Sequence, residues 1–365
     1  MAKRRSNIRD VAAAANVSPS AVSLVIRGRP GIGPETRQRV WAAVNELGYE
    51  LPATNGAAKS QAVCLLIEKG AMPVVLDVFY GEVIRGFQIE AQRLGYQVLL
   101  HMYDSSADTP KGLRDSLPGE ARGLVVANDG DIKPEIVAQM HDIELPLVLI
   151  ENHVPRHKLP CVLGDNFEAG YAVTRHLIDR GHRSLGILRG PTKYSSLVDR
   201  LRGCLAAVAE AGLLIPPAFM PPPVSGHPKK GYQQMREILS EETRPSAVVA
   251  VSDKTAFGAM EAIKEAGLRI PEEIAVVGID DVVESAYAQP PLTTFAIPRH
   301  EMGVLAMRKL HHLITGDREP AAKTLVYGEL IVRESCGGER AAVGGALAAE
   351  PTADDARITP AVSLR

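Results

Sequence analysis

Arg27, Arg29, Arg37 and Arg39 cluster near the start of the chain. Guanidinium groups grouped this way suit phosphate oxygens, contacts that position a protein on a nucleic acid without reading its sequence. Each suits plain solvation equally well. Just before them, Ser18, Pro19, Ser20, Ala21, Ser23 and Leu24 form a short run of small and apolar side chains. Serine hydroxyls can bond base edges, and Leu24 can pack only on a thymine methyl. Other constellations fail. Cys64, Cys161, Cys204 and Cys336 make no CxxC pair, so neither a disulfide framework nor a zinc knuckle is indicated. His153 and His157 flank Pro155, which keeps them off one helical face as metal ligands. Ser195 and Ser196 have no neighbouring His and acid to make a nucleophile. Gly31-Ile32-Gly33 follows no strand and lacks the third glycine of a dinucleotide fingerprint. No cofactor and no metal are expected.

The elements that must position the first group are three short helices. Asn7 is a candidate cap, and Ile8, Val11, Ala12 and Ala15 recur at helical spacing. Asn16 tolerates the left-handed backbone of a tight turn, and Val17 follows as an apolar plug. Ser18 is an N-cap and Pro19 stands at the first helical position, where its missing N–H costs nothing. Ala21, Val22, Val25 and Ile26 give the second helix a buried stripe. Pro34 opens a third helix that stops at Gly48. Such an arrangement is a helix-turn-helix, whose second helix presents its N-terminal residues to the major groove. Charge agrees: residues 1–60 hold nine Lys and Arg against four Asp and Glu, a balance of +5, whereas the whole 365-residue chain carries −2. A basic head on an acidic body suggests that the head meets a polyanion.

From Ala62 onward, apolar strands alternate with amphipathic helices. The strands are expected at 63–67, 96–100, 123–127, 147–151, 185–188, 247–251 and 274–279, and the helices near 80–94, 168–180, 197–211, 230–241, 254–266 and 299–315. Runs of this kind are parallel strands buried on both faces, in two doubly wound lobes. A ligand then binds beyond the carboxyl ends of the strands. Asp165 follows a strand, where it suits either lining that cleft or capping the next helix. No apolar run reaches the roughly 18–20 residues of a membrane span, and the N-terminus lacks the apolar core of a secretory signal. These features, with unpaired cysteines, point to a cytoplasmic protein.

IRDVA, the VS before the second helix, AVS within it, Gly31, ETRQRV and ELGY resemble the DNA-binding domain of the lactose-repressor (LacI/GalR) family. The family's usual turn glycine is Asn16 here, a commonly basic position is Leu24, and a usual asparagine is Arg27. The hinge segment ELPATNGAAKSQ is about three residues shorter than the family's, with Ala58 where a minor-groove leucine is expected. GDNFEAGYAVTRHLIDRGHRSLGIL, RLRGCLAAVAEAGL, SDKTAFGAMEAI, VVGIDD and PPLTTFAIPRHEMG resemble the type I periplasmic-binding-protein core of the same family.

The resemblance implies a helix-turn-helix head over residues 1–49, a hinge over 50–61 and a two-lobed effector-binding and dimerisation domain over 62–336. Residues 337–365, rich in Gly, Ala and Pro, read as a disordered tail. The implied function is that of a sequence-specific DNA-binding regulator, a repressor rather than an enzyme, working as a homodimer on double-stranded operator DNA. The first-lobe helix Tyr80–Leu94 helps form the dimer. The implied effector is a small molecule bound between the lobes, in this family most commonly a sugar, though nucleobases and other small metabolites also occur. By motif, Arg200 pairs with polar effector groups and Asp280 accepts hydroxyls, while Glu151, Ser252 and Asp165 occupy positions that line the cleft or serve structure. Asn7, Ser18, Pro19, Ser20, Ala21, Ser23, Leu24, Arg27 and Arg29 are the expected DNA contacts. A solute-binding protein with no regulatory role is the alternative, and the basic head speaks against it.

Overall fold

The computed structural model describes residues 8–26, 32–46, 61–68, 78–103, 117, 119, 121–127, 144–154, 157–223, 230–316 and 320–337. Asn7, Arg27, Arg29, Gly48, Ala58 with the rest of the hinge up to residue 60, and the tail beyond residue 337 lie outside them. The chain forms two compact units, residues 1–61 and 62–365.

The first unit holds α1 (Ile8–Ala14), α2 (Pro19–Ile26) and α3 (Pro34–Glu46). Val11, Ala12, Ala15, Val22, Val25, Val40, Ala43 and Val44 close its core. Asn16 takes φ 52° after α1. There the Val17 N–H reaches the Ala12 carbonyl at 3.0 Å and the Asn16 N–H reaches Ala13 at 3.2 Å, satisfying two carbonyls at the helix end. Ser18 Oγ accepts from the Ala21 N–H at 3.1 Å, capping α2 as its residue type predicts.

Among the described residues the second unit has two sheets. The first has the order β10-β5-β4-β3-β1-β2, with β1 (Gln61–Glu68), β2 (Tyr96–Tyr103), β3 (Ala121–Ala127), β4 (Leu147–Ile150), β5 (Cys161–Gly164) and β10 (Lys323–Val326). Its β1–β3, β3–β4, β4–β5 and β5–β10 pairings are parallel, Leu65 facing Val125 and Val125 facing Val148. The second has the order β11-β9-β8-β7-β6, with β6 (Leu185–Leu188), β7 (Ala247–Ala250), β8 (Ala275–Asp280), β9 (Thr293–Ala296) and β11 (Glu329–Ile331). Only the β11–β9 pairing is antiparallel among these.

Helices α4 (Val78–Arg93), α5 (Asn166–Asp179), α6 (Ser195–Glu210), α7 (Lys230–Leu239), α8 (Asp253–Glu265), α9 (Val283–Tyr287) and α10 (Arg299–Thr315) complete the lobes. The chain passes between sheets after β5, after β9 and after β10. Three segments therefore join the lobes, and one buried apolar cluster runs from Val63 and Val148 in the first sheet to Ile187 and Val277 in the second. The strands at β5, β9, β10 and β11 are absent from the sequence expectation. Each spans three or four residues, and β9, β10 and β11 mix polar with apolar side chains, so they lack the continuous apolar run that marks β4, β6 and β7.

Glycines set the helix packing. A Cβ on Gly170 of α5 would strike the Arg200 carbonyl oxygen of α6, and one on Gly203 of α6 would strike the Phe167 carbonyl oxygen of α5. The two backbones touch because neither residue has a side chain, and this closeness carries Arg200 to the start of α5.

Candidate functional site

In the first unit, Ser18, Pro19, Ser20 and Leu24 are exposed at the start and along one side of α2, with Ala21 and Ser23 partly covered. Leu24 is 38% exposed, while Val22 and Val25 fill the core. Of the expected base-facing residues that are described, Ser18, Pro19, Ser20 and Leu24 are thus open to solvent. Arg37 begins the ladder of α3 through its N–H to the Gly33 carbonyl at 3.0 Å, and Arg39 reaches Thr36 Oγ1 at 3.4 Å.

In the second unit, three carboxylate residues follow strand ends with left-handed backbone: Glu151 after β4 at φ 50°, Asp280 at the end of β8 at φ 129°, and Asp281 at φ 50°. Such conformations are costly for residues with a Cβ, and they persist where the surroundings over-determine them, as at ligand sites. Arg200 projects from α6 into this region and is 3% exposed. Its Nη2 lies 2.8 Å from Asp280 Oδ1, its Nη1 donates to the Val251 carbonyl at 2.8 Å, and its Nε donates to Asn166 Oδ1 at 2.8 Å. Asn166 Nδ2 in turn donates to Glu151 Oε1 at 2.6 Å, and Glu151 Oε2 accepts from the Gly164 N–H at 3.0 Å.

Glu151, Asn166, Arg200 and Asp280 thus form one network, with Asn166, Arg200 and Asp280 buried and Glu151 half-buried. Burial pushes the Glu151 carboxyl up from its ordinary range, and the nearby Arg200 only partly offsets this. The two remaining positions have structural partners. Asp165 caps α5 by accepting from the Glu168 N–H at 3.1 Å. Ser252 caps α8, accepting from the Thr255 N–H at 3.3 Å.

A cavity of about 210 Å³ opens beside the network, lined among others by Glu151, Asn166, Asp165, Phe167, Ser195 and Lys323. Arg200, Asp280 and Ser252 do not line it. Two residues outside the sequence expectation matter here. Asn166 is the hub of the network. Asp253 is wholly buried and accepts from the Thr294 hydroxyl at 2.6 Å, the Ser285 hydroxyl at 2.7 Å and the Val282 N–H at 3.0 Å. It thereby fixes the segment that follows Asp280, and burial, then the Asp280 charge, pushes its carboxyl up to about 6. Neither is marked by its residue type in sequence, since an Asn or Asp in the first turn of a helix is ordinary.

No group of three or more His, Cys, Asp or Glu among the described residues is placed to hold a metal ion. No described helix is long and apolar enough to cross a membrane.

Residues 7–51 match the family described as bacterial regulatory proteins, lacI family, and residues 174–336 match a periplasmic binding protein-like domain. The chain is 32% identical over 337 residues to the HTH-type transcriptional repressor PurR of Edwardsiella ictaluri (strain 93-146), across 90% of this chain and 96% of that protein. The chain belongs to the lacI family of bacterial regulatory proteins. Within that family, the same-named repressor of Pasteurella multocida (strain Pm70) is 30% identical over 336 residues, covering 90% of this chain and 98% of that one. A solved transcriptional regulator CelR–cellobiose complex superposes with a TM-score of 0.68 at 30% identity, over 91% of this chain and all (100%) of that one. The lac repressor dimer bound to operator and the anti-inducer ONPF shares the fold, with a TM-score of 0.66 at 23% identity over 91% of this chain and 99% of that one. This lacI-family protein is therefore a DNA-binding transcriptional regulator with a helix-turn-helix head and a two-lobed effector-binding domain, and not an enzyme.

Proposed function

We propose that the regulator is a homodimeric repressor whose grip on operator DNA is set by a carbohydrate held between the lobes at Arg200 and Asp280. The observation that carries this reading is the buried Arg200–Asp280 pair at the carboxyl end of β8. A guanidinium and a carboxylate side by side offer donors and acceptors together, the inventory a polyhydroxyl ligand needs, and charge-assisted bonds give such contacts specificity. The strained backbone of Asp280 supports a ligand role over a purely structural one. The cellobiose in the CelR complex supports the ligand class.

Homodimerisation is supported by exposed apolar side chains at one edge of the first lobe. Ile89 on α4 and Leu100 and Met102 on β2, the terminal strand of its sheet, are 49%, 49% and 43% exposed. Two half-sites read by two heads require such a pairing. Leu24, Ser20 and Pro19 on α2 are the proposed base contacts.

The test is a thermal-shift and calorimetric screen of the full-length protein against mono- and disaccharides. A ligand that binds the folded state raises the melting temperature with its concentration. Binding by the wild type that is lost in Asp280→Asn and Arg200→Lys supports the assignment. Binding that survives both variants refutes it.

A further inference from the structure

We infer that Asn166 is the positioning residue that couples the two lobes to the Arg200–Asp280 pair, so that the pair and the lobe arrangement change together. The inference rests on the effector reading above and deepens it. Asn166 is 6% exposed and opens α5, the first element after the chain leaves the first sheet. Its amide faces two ways. The Nδ2 group donates to Glu151 Oε1, in the first lobe, at 2.6 Å and to the Gly164 carbonyl at 3.1 Å. The Oδ1 atom accepts from Arg200 Nε, in the second lobe, at 2.8 Å. Only a neutral amide offers a donor to the carboxylate and an acceptor to the guanidinium at once. An aspartate would set a second carboxylate against Glu151. An alanine would leave a half-buried carboxylate oxygen of Glu151 and a buried N–H of Arg200 without these partners.

The neighbours of this amide are themselves held. Glu151 is tied by the Gly164 N–H, and Arg200 by Val251 and Asp280. Arg200 has one rigid fork with three directions in use, so a ligand that draws Nη2 from Asp280 also turns Nε away from Asn166. The bond from Asn166 to Glu151 then carries that rotation into the first lobe. Traffic runs the other way as well, because the cavity of about 210 Å³ opens on both Glu151 and Asn166. Packed interfaces respond by switching between arrangements and not by continuous deformation, and a half-satisfied buried network is costly, so these bonds are expected to be exchanged together.

The experiment measures an interlobe distance with no ligand present. Spin labels go on the full-length protein at Arg122→Cys and Glu242→Cys, exposed sites in the first and second lobes. The native cysteines are all buried and stay unlabelled. Pulsed electron resonance on the otherwise wild-type protein is expected to give one narrow distribution. In Asn166→Ala and Asn166→Asp its peak is expected to move by more than its wild-type width, or to split. A merely structural asparagine would lower the melting temperature and leave the distance in place. Should the Asn166 variants fail to fold, Glu151→Gln carries the same prediction, because it turns one carboxylate acceptor into a donor facing a donor. Unchanged distances in the folded variants would overturn the coupling. They would leave carbohydrate binding at Arg200 and Asp280 untouched, so the two readings fail separately.

Discussion

Arg200 and Asp280 meet at 2.8 Å with side chains only 3% and 11% exposed. Two charges so far from water are held by geometry rather than by simple attraction, because desolvation offsets most of the Coulomb gain. Breaking such a pair is therefore costly. Arg200→Met strands Asp280 and the Val251 carbonyl and is expected to lower stability by about 3–5 kcal/mol in urea unfolding. The double variant Arg200→Met/Asp280→Leu is expected to recover most of that loss while remaining deaf to effector. If the single variant is as stable as wild type, the pair is not the buried ion pair described.

The approach of α5 to α6 makes a second prediction. Gly203→Ala places a methyl group against the Phe167 carbonyl oxygen and the Tyr171 N–H, backbone atoms that cannot rotate away. Overpacking of this kind costs about 1–3 kcal/mol. Arg200 lies on the displaced helix, so carbohydrate affinity is expected to fall with stability. Gly212→Ala, at the φ 65° turn just beyond the same helix, meets nothing within 4 Å. It serves as the control, with a backbone penalty and no loss of affinity beyond it.

Asp253 gives a pH dependence. Its carboxyl titrates at about 6 in the fold against 3.8 without it. Between those values the folded chain holds more protons than the unfolded one. The contribution is therefore fully present below about 3.8 and is lost as pH rises through about 6. Glu90 works in the opposite sense, its carboxyl held at about 2 chiefly by Arg93 and also by Arg308. The two are separated by difference: the wild-type melting temperature minus that of Asp253→Asn is expected to fall between pH 4 and pH 7. A flat difference would contradict the buried placement of Asp253.

In the first unit, Ser18→Ala removes the cap of α2 and is expected to cost about 1 kcal/mol in thermal unfolding. Leu24→Ala removes an exposed side chain and is expected to change stability by about 0.5 kcal/mol or less. Selection from a random duplex library reads the other consequence. Leu24→Ala is expected to lose a preference for thymine at one position of each half-site, with the remainder of the site unchanged. An identical selected site would remove Leu24 from the base contacts.

Much of this was legible in residue types. Asn16 was readable as a left-handed turn, Ser18 as a cap, and the runs at 147–151 and 274–279 as buried strands, because each local preference agrees with its tertiary setting. The family motifs also singled out Arg200 and Asp280, which the fold brings together as a buried pair. Their contact with each other was not legible, since a salt bridge between positions this far apart in sequence depends on how α6 approaches β8. Asn166 was invisible for a different reason. An asparagine at a helix start is ordinary, and only the positions of Glu151 and Arg200 on either side give its amide a role. Asp165 suited both a cap and a cleft in sequence, and in the fold it does both, capping α5 and lining the cavity, while Ser252 caps α8.

The measurement that bears most directly on effector-controlled repression is operator affinity, titrated by fluorescence anisotropy with and without the carbohydrate that emerges from the binding screen. The wild type is expected to lose affinity linearly in log salt, and to change its Kd about 5- to 150-fold when the carbohydrate is added. Asp280→Asn is expected to bind operator with the same salt slope and to ignore the carbohydrate. A wild-type Kd that does not move with the bound carbohydrate, or a shift of equal size in Asp280→Asn, would contradict the account.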